Sequence, residues 1–127
     1  HPIEIQATLS TAKEVWPERR LVVIFQPHRY SRTEHQMENF YSAFNDADQL
    51  LLLDIYSAGE KVIEGVHSHK IAEGVKEFGH KNVEYIGCTE SVVPYLQKIL
   101  KPGDVVMALG AGNIGELSHK LVTHFND

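Results

Sequence analysis

Leu21-Val22-Val23-Ile24-Phe25 is an unbroken apolar run, and Gln26-Pro27-His28-Arg29-Tyr30-Ser31-Arg32-Thr33 follows directly behind it. A strand needs such a run when both of its faces are buried, as in a parallel sheet. The polar segment lies where that strand would open to solvent, and it carries two arginines, a histidine and a tyrosine. The guanidinium group is a planar fork of donors that suits a carboxylate or a phosphate. The segment therefore predicts a loop that grips an anionic small molecule.

Outward from this stretch the pattern repeats. Gln49–Leu53 is apolar after its first residue, and Asp54-Ile55-Tyr56-Ser57-Ala58-Gly59-Glu60 comes behind it. Residues 82–86 and 104–109 are the third and fourth predicted strands. Helical periodicity fills the intervals. Ile5, Leu9, Ala12 and Trp16 follow Pro2, which suits the first position of a helix, and Pro17 ends that run. Met37, Phe40, Tyr41 and Phe44 form a stripe behind Thr33 as helix cap. Ile71, Val75 and Phe78 point inward behind Ser68 as cap. A helix is predicted over residues 89–100, with Pro94 moving its start toward Val93, and a last one over 113–125. Residues 61–66 read as a loop, with a short strand at 61–63.

Strands alternating with helices in one chain of 127 residues predict a single α/β domain over residues 1–127. The expected architecture is a three-layer, Rossmann-like domain with a mostly parallel sheet flanked by helices. Ligands of such sheets sit beyond the carboxyl ends of the strands. That rule selects residues 26–33, 54–60 and 110–115.

Composition narrows the partners. A net charge of -5 argues against nucleic acid as the main partner, so the two arginines are a local positive feature on an acidic body. No apolar stretch approaches the ~18 residues of a membrane span. The single cysteine, Cys88, has no internal disulfide partner, which points to a reducing compartment and a buried or half-buried structural thiol. The eight histidines are scattered without zinc-ligand spacing, and no phosphate loop or nucleophilic triad motif is present. No metal site and no catalytic residue is assigned to this domain.

Gly110-Ala111-Gly112-Asn113-Ile114-Gly115 has the G-x-G-x-x-G form between a strand and a helix. Only a dozen residues follow it, which leaves no second strand and no acidic residue for a ribose. Two readings remain: a helix N-terminus that attracts anions, or glycines that let strand and helix pack closely. Asp54, Tyr56 and Glu60 are placed to meet an ammonium group or a metal, or to be solvated loop residues. A bidentate arginine contact with a carboxylate contributes ~1.5–3 kcal/mol, enough for two arginines to select an amino-acid-sized anion.

Four segments in this order resemble one family: His1-Pro2-Ile3-Glu4, Phe25 through Thr33, Asp54 through Glu60, and Gly110 through Gly115. They resemble the carboxyl-terminal domain of the Mur ligases, in particular the alanine-adding branch that joins L-alanine to UDP-N-acetylmuramate in peptidoglycan synthesis. The related branch that recycles murein tripeptide lacks the His-Arg-Tyr-x-Arg run. The resemblance implies a cytoplasmic, three-domain enzyme dependent on ATP and Mg2+, with UDP-N-acetylmuramate, L-alanine and ATP as partners. This chain would be the third domain alone, with the amino-terminal and central domains absent, no cofactor bound and no activity by itself. Carried over by motif, His28, Arg29 and Arg32 would bind L-alanine. Tyr56, Glu60, Gly110, Ala111, Gly112 and Asn113 would line the pocket, and His1 would sit on the hinge side near the nucleotide. The competing expectations are a domain of the recycling ligase and a free-standing, non-catalytic α/β module that binds a nucleotide or a protein.

Overall fold

In the computed structural model, which describes residues 2–110 and 114–125, the four predicted strands pair into one parallel sheet. In chain order they are β1 (Leu21–Gln26), β2 (Gln49–Leu53), β3 (Val83–Gly87) and β4 (Val105–Gly110), and they lie in the order β3-β2-β1-β4. β1 is therefore central, with Val23 opposite Leu50 of β2 and Met107 of β4. Every residue of β1 is buried, which is the physical reason for its uninterrupted apolar sequence.

Among the described residues five helices enclose the sheet: α1 (Pro2–Val15), α2 (Tyr30–Phe40), α3 (Ser68–Glu77), α4 (Val92–Ile99) and α5 (Ile114–Phe125). Alternation along the strands splits the core into two layers. Leu21, Val23 and Phe25 pack with Leu9 of α1, Phe40 of α2 and Ile71 of α3. Val22 and Ile24 pack with Leu96 of α4 and Leu117 and Leu121 of α5. The expected three-layer architecture is the observed one. Leu50 through Leu53 are wholly inaccessible, and each such side chain contributes roughly 1.5–3 kcal/mol by leaving water.

Several local expectations give way to tertiary contacts. Thr33 does not cap α2; the helix begins at Tyr30, and the Thr33 hydroxyl donates back to the Arg29 carbonyl from within the first turn. α2 also stops at Phe40, so the buried Phe44 belongs to the turn after it. Ser68 is the first residue of α3 rather than its cap. Its hydroxyl donates to the Leu53 carbonyl at 2.5 Å, while the His67 ring accepts the His69 N–H. Trp16 and Phe78 lie beyond the ends of their helices and are exposed. Residues 61–63 form no strand. A 3-10 turn over Thr89–Ser91 precedes α4, which starts at Val92 with Pro94 in its first turn. Cys88 is exposed rather than buried, 3.2 Å from the Ser91 hydroxyl.

Candidate functional site

The crossover from β1 leads to α2 on one face of the sheet, and β4 leads to α5 on the other. The chain thus diverges between β1 and β4, which is where a parallel sheet opens a crevice at its carboxyl edge. Gln26 and Gly110 are opposite each other at that point. A side chain at position 110 would overlap the Gln26 carbonyl, and Gly110 has φ +126°, so only glycine fits this approach. A cavity of about 200 Å³ opens beside them, lined by Glu4 and Thr8 of α1, His28, Leu109 and Gly110 among others.

The loop behind β1 is tied to the loop behind β2. His28 and Tyr56 form an isolated parallel bridge. The Tyr56 N–H donates to the Pro27 carbonyl (2.9 Å), and the Arg29 N–H donates to the Tyr56 carbonyl (2.7 Å). The two rings stack, with centroids 5.8 Å apart and planes 12° from parallel. Arg29 itself has φ +70°, a conformation that costs a side-chain-bearing residue about 1–3 kcal/mol. Thr33 secures it from the other side, its N–H and hydroxyl both donating to the Arg29 carbonyl at 3.1 and 2.7 Å.

Glu60 closes this arrangement. Its carboxylate accepts the Ser31 hydroxyl at 2.5 Å and the Ser31 N–H at 3.0 Å, which satisfies a donor at the start of α2. These bonds, the hydroxyl contact foremost, hold its acid below the usual carboxylate range. The base of the same loop is fixed at Asp54. Its N–H donates to the Gly87 carbonyl at 2.7 Å and its carboxylate accepts the Tyr85 hydroxyl. That contact, with partial burial of the ring, pushes the Tyr85 phenol up to about 12. Residues 54–60 therefore form a strap running from β3 to the first turn of α2.

Of the residues singled out from sequence, His28 and Gly110 line the cavity, and Tyr56 stacks on His28. Arg29, just before α2, and Arg32, on its first turn, are both exposed. Glu60 lies against Ser31 rather than in the cavity lining. His1, Ala111, Gly112 and Asn113 fall outside the described residues. Sequence reasoning placed Gln26 in the crevice segment but gave it no role of its own. It is 6% exposed, its amide nitrogen donates to the Asp54 carbonyl at 3.5 Å, and its amide oxygen has no partner among the described residues. The available signal was a polar residue ending a run of buried apolar ones. Glu4 and Thr8 were passed over, because only the fold brings α1 to the crevice.

Comparison with known proteins adds four findings. Residues 1–112 match the family model described as Mur ligase, glutamate ligase domain. The chain is 54% identical over 122 residues to UDP-N-acetylmuramate–L-alanine ligase of Geotalea uraniireducens (strain Rf4), covering 96% of this chain and 26% of that protein. The protein of the same name in Geobacter sulfurreducens is 52% identical over 114 residues, covering 90% of this chain and 25% of its own length. Among solved structures, a UDP-N-acetylmuramate-alanine ligase of Thermotoga maritima superposes with a TM-score of 0.72 at 30% identity. It covers 99% of this chain and 25% of that one. The chain thus spans about a quarter of the length of these relatives.

Proposed function

The chain belongs to the Mur ligase family, and on that premise we propose that it is the carboxyl-terminal domain of a cytoplasmic ligase that joins L-alanine to UDP-N-acetylmuramate in peptidoglycan synthesis. The observation that carries this reading is the position of His28, Arg29 and Arg32, at the carboxyl end of the central strand and beside the crevice between β1 and β4. Arg29 and Arg32 bind the amino-acid carboxylate by charge-assisted hydrogen bonds, and His28, steadied by Tyr56, forms the adjoining wall.

The reaction forms an amide between the muramate carboxyl group and the alanine amine, coupled to ATP. Among the described residues no three His, Cys, Asp or Glu side chains converge as a metal-ligating set. The groups this reading uses are the Arg29 and Arg32 guanidinium groups behind β1 and the His28 imidazole in the cavity lining, which suit an anionic substrate, while the Glu4 carboxylate and Thr8 hydroxyl line the facing wall from α1. The family resemblance implies ATP and Mg2+ for the full-length ligase, with neither expected to be bound by this domain alone. The domain's own contribution is to orient the amine by its carboxylate and to close the reaction against water. The chain alone is expected to turn over no substrate.

Arg29→Ala in the full-length ligase tests this. The expected result is a rise in the KM for L-alanine of tenfold or more, with the affinity for UDP-N-acetylmuramate unchanged, as for loss of one charge-assisted contact of ~1.5–3 kcal/mol. An unaltered alanine dependence would overturn the assignment.

A further inference from the structure

α2 begins without a cap from its own segment: its N-cap residue is Arg29, whose side chain makes no capping bond. The carboxylate that fills this role, Glu60, comes from 29 positions along the chain. The residue it stabilises sits two positions after one with a left-handed backbone. Strained residues persist only where several contacts over-determine them. At Arg29 these are the Tyr56 carbonyl on its N–H, Thr33 on its carbonyl, and Glu60 on the turn that continues from it.

We propose that Glu60 is a positioning residue for the amino-acid clamp. Its carboxylate fixes the first turn of α2 so that Arg29 is held in its strained conformation and aimed at the substrate carboxylate. This rests on the reading of Arg29 as a substrate contact. The strap from Asp54 to Glu60 is the physical link. Anchored on β3 through Tyr85 and Gly87, it delivers the Tyr56 carbonyl to Arg29 and the Glu60 carboxylate to Ser31. Without Glu60, the helix body stays packed through Phe40 while its first turn is released, and Arg29 relaxes toward negative φ. The role is therefore geometric rather than a contact with substrate.

The test uses the full-length ligase carrying this domain. Glu60→Ala is expected to raise the KM for L-alanine about tenfold, with a smaller change in kcat and none in the KM for ATP. Glu60→Gln keeps an acceptor for Ser31 and is expected to restore the KM to within about threefold of the wild-type value. Ser31→Ala, which removes the strongest of these contacts from the other side, moves the KM in the same direction and covers the case in which Glu60→Ala does not fold. In the Arg29→Ala background, Glu60→Ala has a much smaller further effect, limited to Arg32 on the same turn, because the contact it chiefly positions is already gone.

Full additivity of Glu60→Ala and Arg29→Ala, or a wild-type KM in Glu60→Ala and Ser31→Ala, would refute the positioning role while leaving the amino-acid reading intact. A wild-type KM in Arg29→Ala itself removes that reading, and this one with it. Hydrogen exchange supplies a readout independent of substrate. The Arg29 amide is expected to exchange faster in Glu60→Ala than in the wild type, and equal rates overturn the link.

Discussion

The two ends of the sheet treat charge in opposite ways. At the amino ends of the strands, ionic groups are consumed by one another. Arg20 donates from Nε and Nη2 to Asp104 and from Nη2 to the Ile99 carbonyl (2.6 Å), and Asp104 also accepts the Lys101 N–H at 2.9 Å. Asp48 takes both the Lys13 ammonium and the Leu21 N–H. At the carboxyl ends the backbone is strained at Arg29, and the Gln26 amide oxygen has no partner among the described residues. The first end holds the strands together. The second accepts local cost, as sites that must meet a ligand do.

The sharpest way to break this contrast is at Gly110, where both constraints act at once. Gly110→Ala would place a methyl group against the Gln26 carbonyl and force a side chain onto a left-handed backbone. Neither can relax without parting β1 from β4. The expected loss is about 3 kcal/mol or more in equilibrium unfolding, among the larger effects of a single substitution. A near-neutral result would mean that the carboxyl edge is loose and the crevice is not held open by close backbone approach.

Asp104→Ala probes the other end. Its side chain is only 6% exposed, and its loss strips Arg20 of a bidentate partner while Arg20 keeps 30% exposure and some access to water. A destabilisation of about 2 kcal/mol is expected, below the full penalty of a buried orphan charge because of that access. The KM for L-alanine should not change. The pH dependence follows from the same pair. Arg20 holds the Asp104 carboxyl below its ordinary value of 3.8, so its stabilisation is present above that pH and is lost on acidification below it. The wild-type advantage over Asp104→Ala should therefore shrink as pH falls through this range.

The same contrast explains what could be read in the sequence. The strands were legible because burial on both faces leaves an unambiguous trace in Leu21 through Phe25 and Leu50 through Leu53. The arginine loop was legible because the crevice rule depends on strand ends alone. Helix starts were not. Thr33 and Ser68 are good caps by residue type, but both lie inside their helices, whose first-turn N–H groups at Ser31 and His69 are met by Glu60 and His67, and the first of these arrives from a distant loop. Phe78 reads as core by spacing, yet α3 ends before it and turns away at Gly79. The strain at Arg29 leaves no trace in its own side chain, because the contacts that impose it are tertiary.

That strain supplies the finest test of the difference between the ends, because its expected sign is inverted. Removing an amino-end contact destabilises the domain, whereas relieving the carboxyl-end conformation should stabilise it. Arg29→Ala and Arg29→Gly both delete the guanidinium, but only glycine accepts φ +70° without steric cost. Relief of about 1–3 kcal/mol outweighs the roughly 0.5–1 kcal/mol that glycine loses through its greater freedom in the unfolded chain. Arg29→Gly should therefore be about 1 kcal/mol more stable than Arg29→Ala in denaturant unfolding, while the two have equally impaired KM values for L-alanine. If glycine were instead the less stable of the pair, the loop would carry no strain, and the carboxyl end would differ from the amino end only in which charges it leaves exposed.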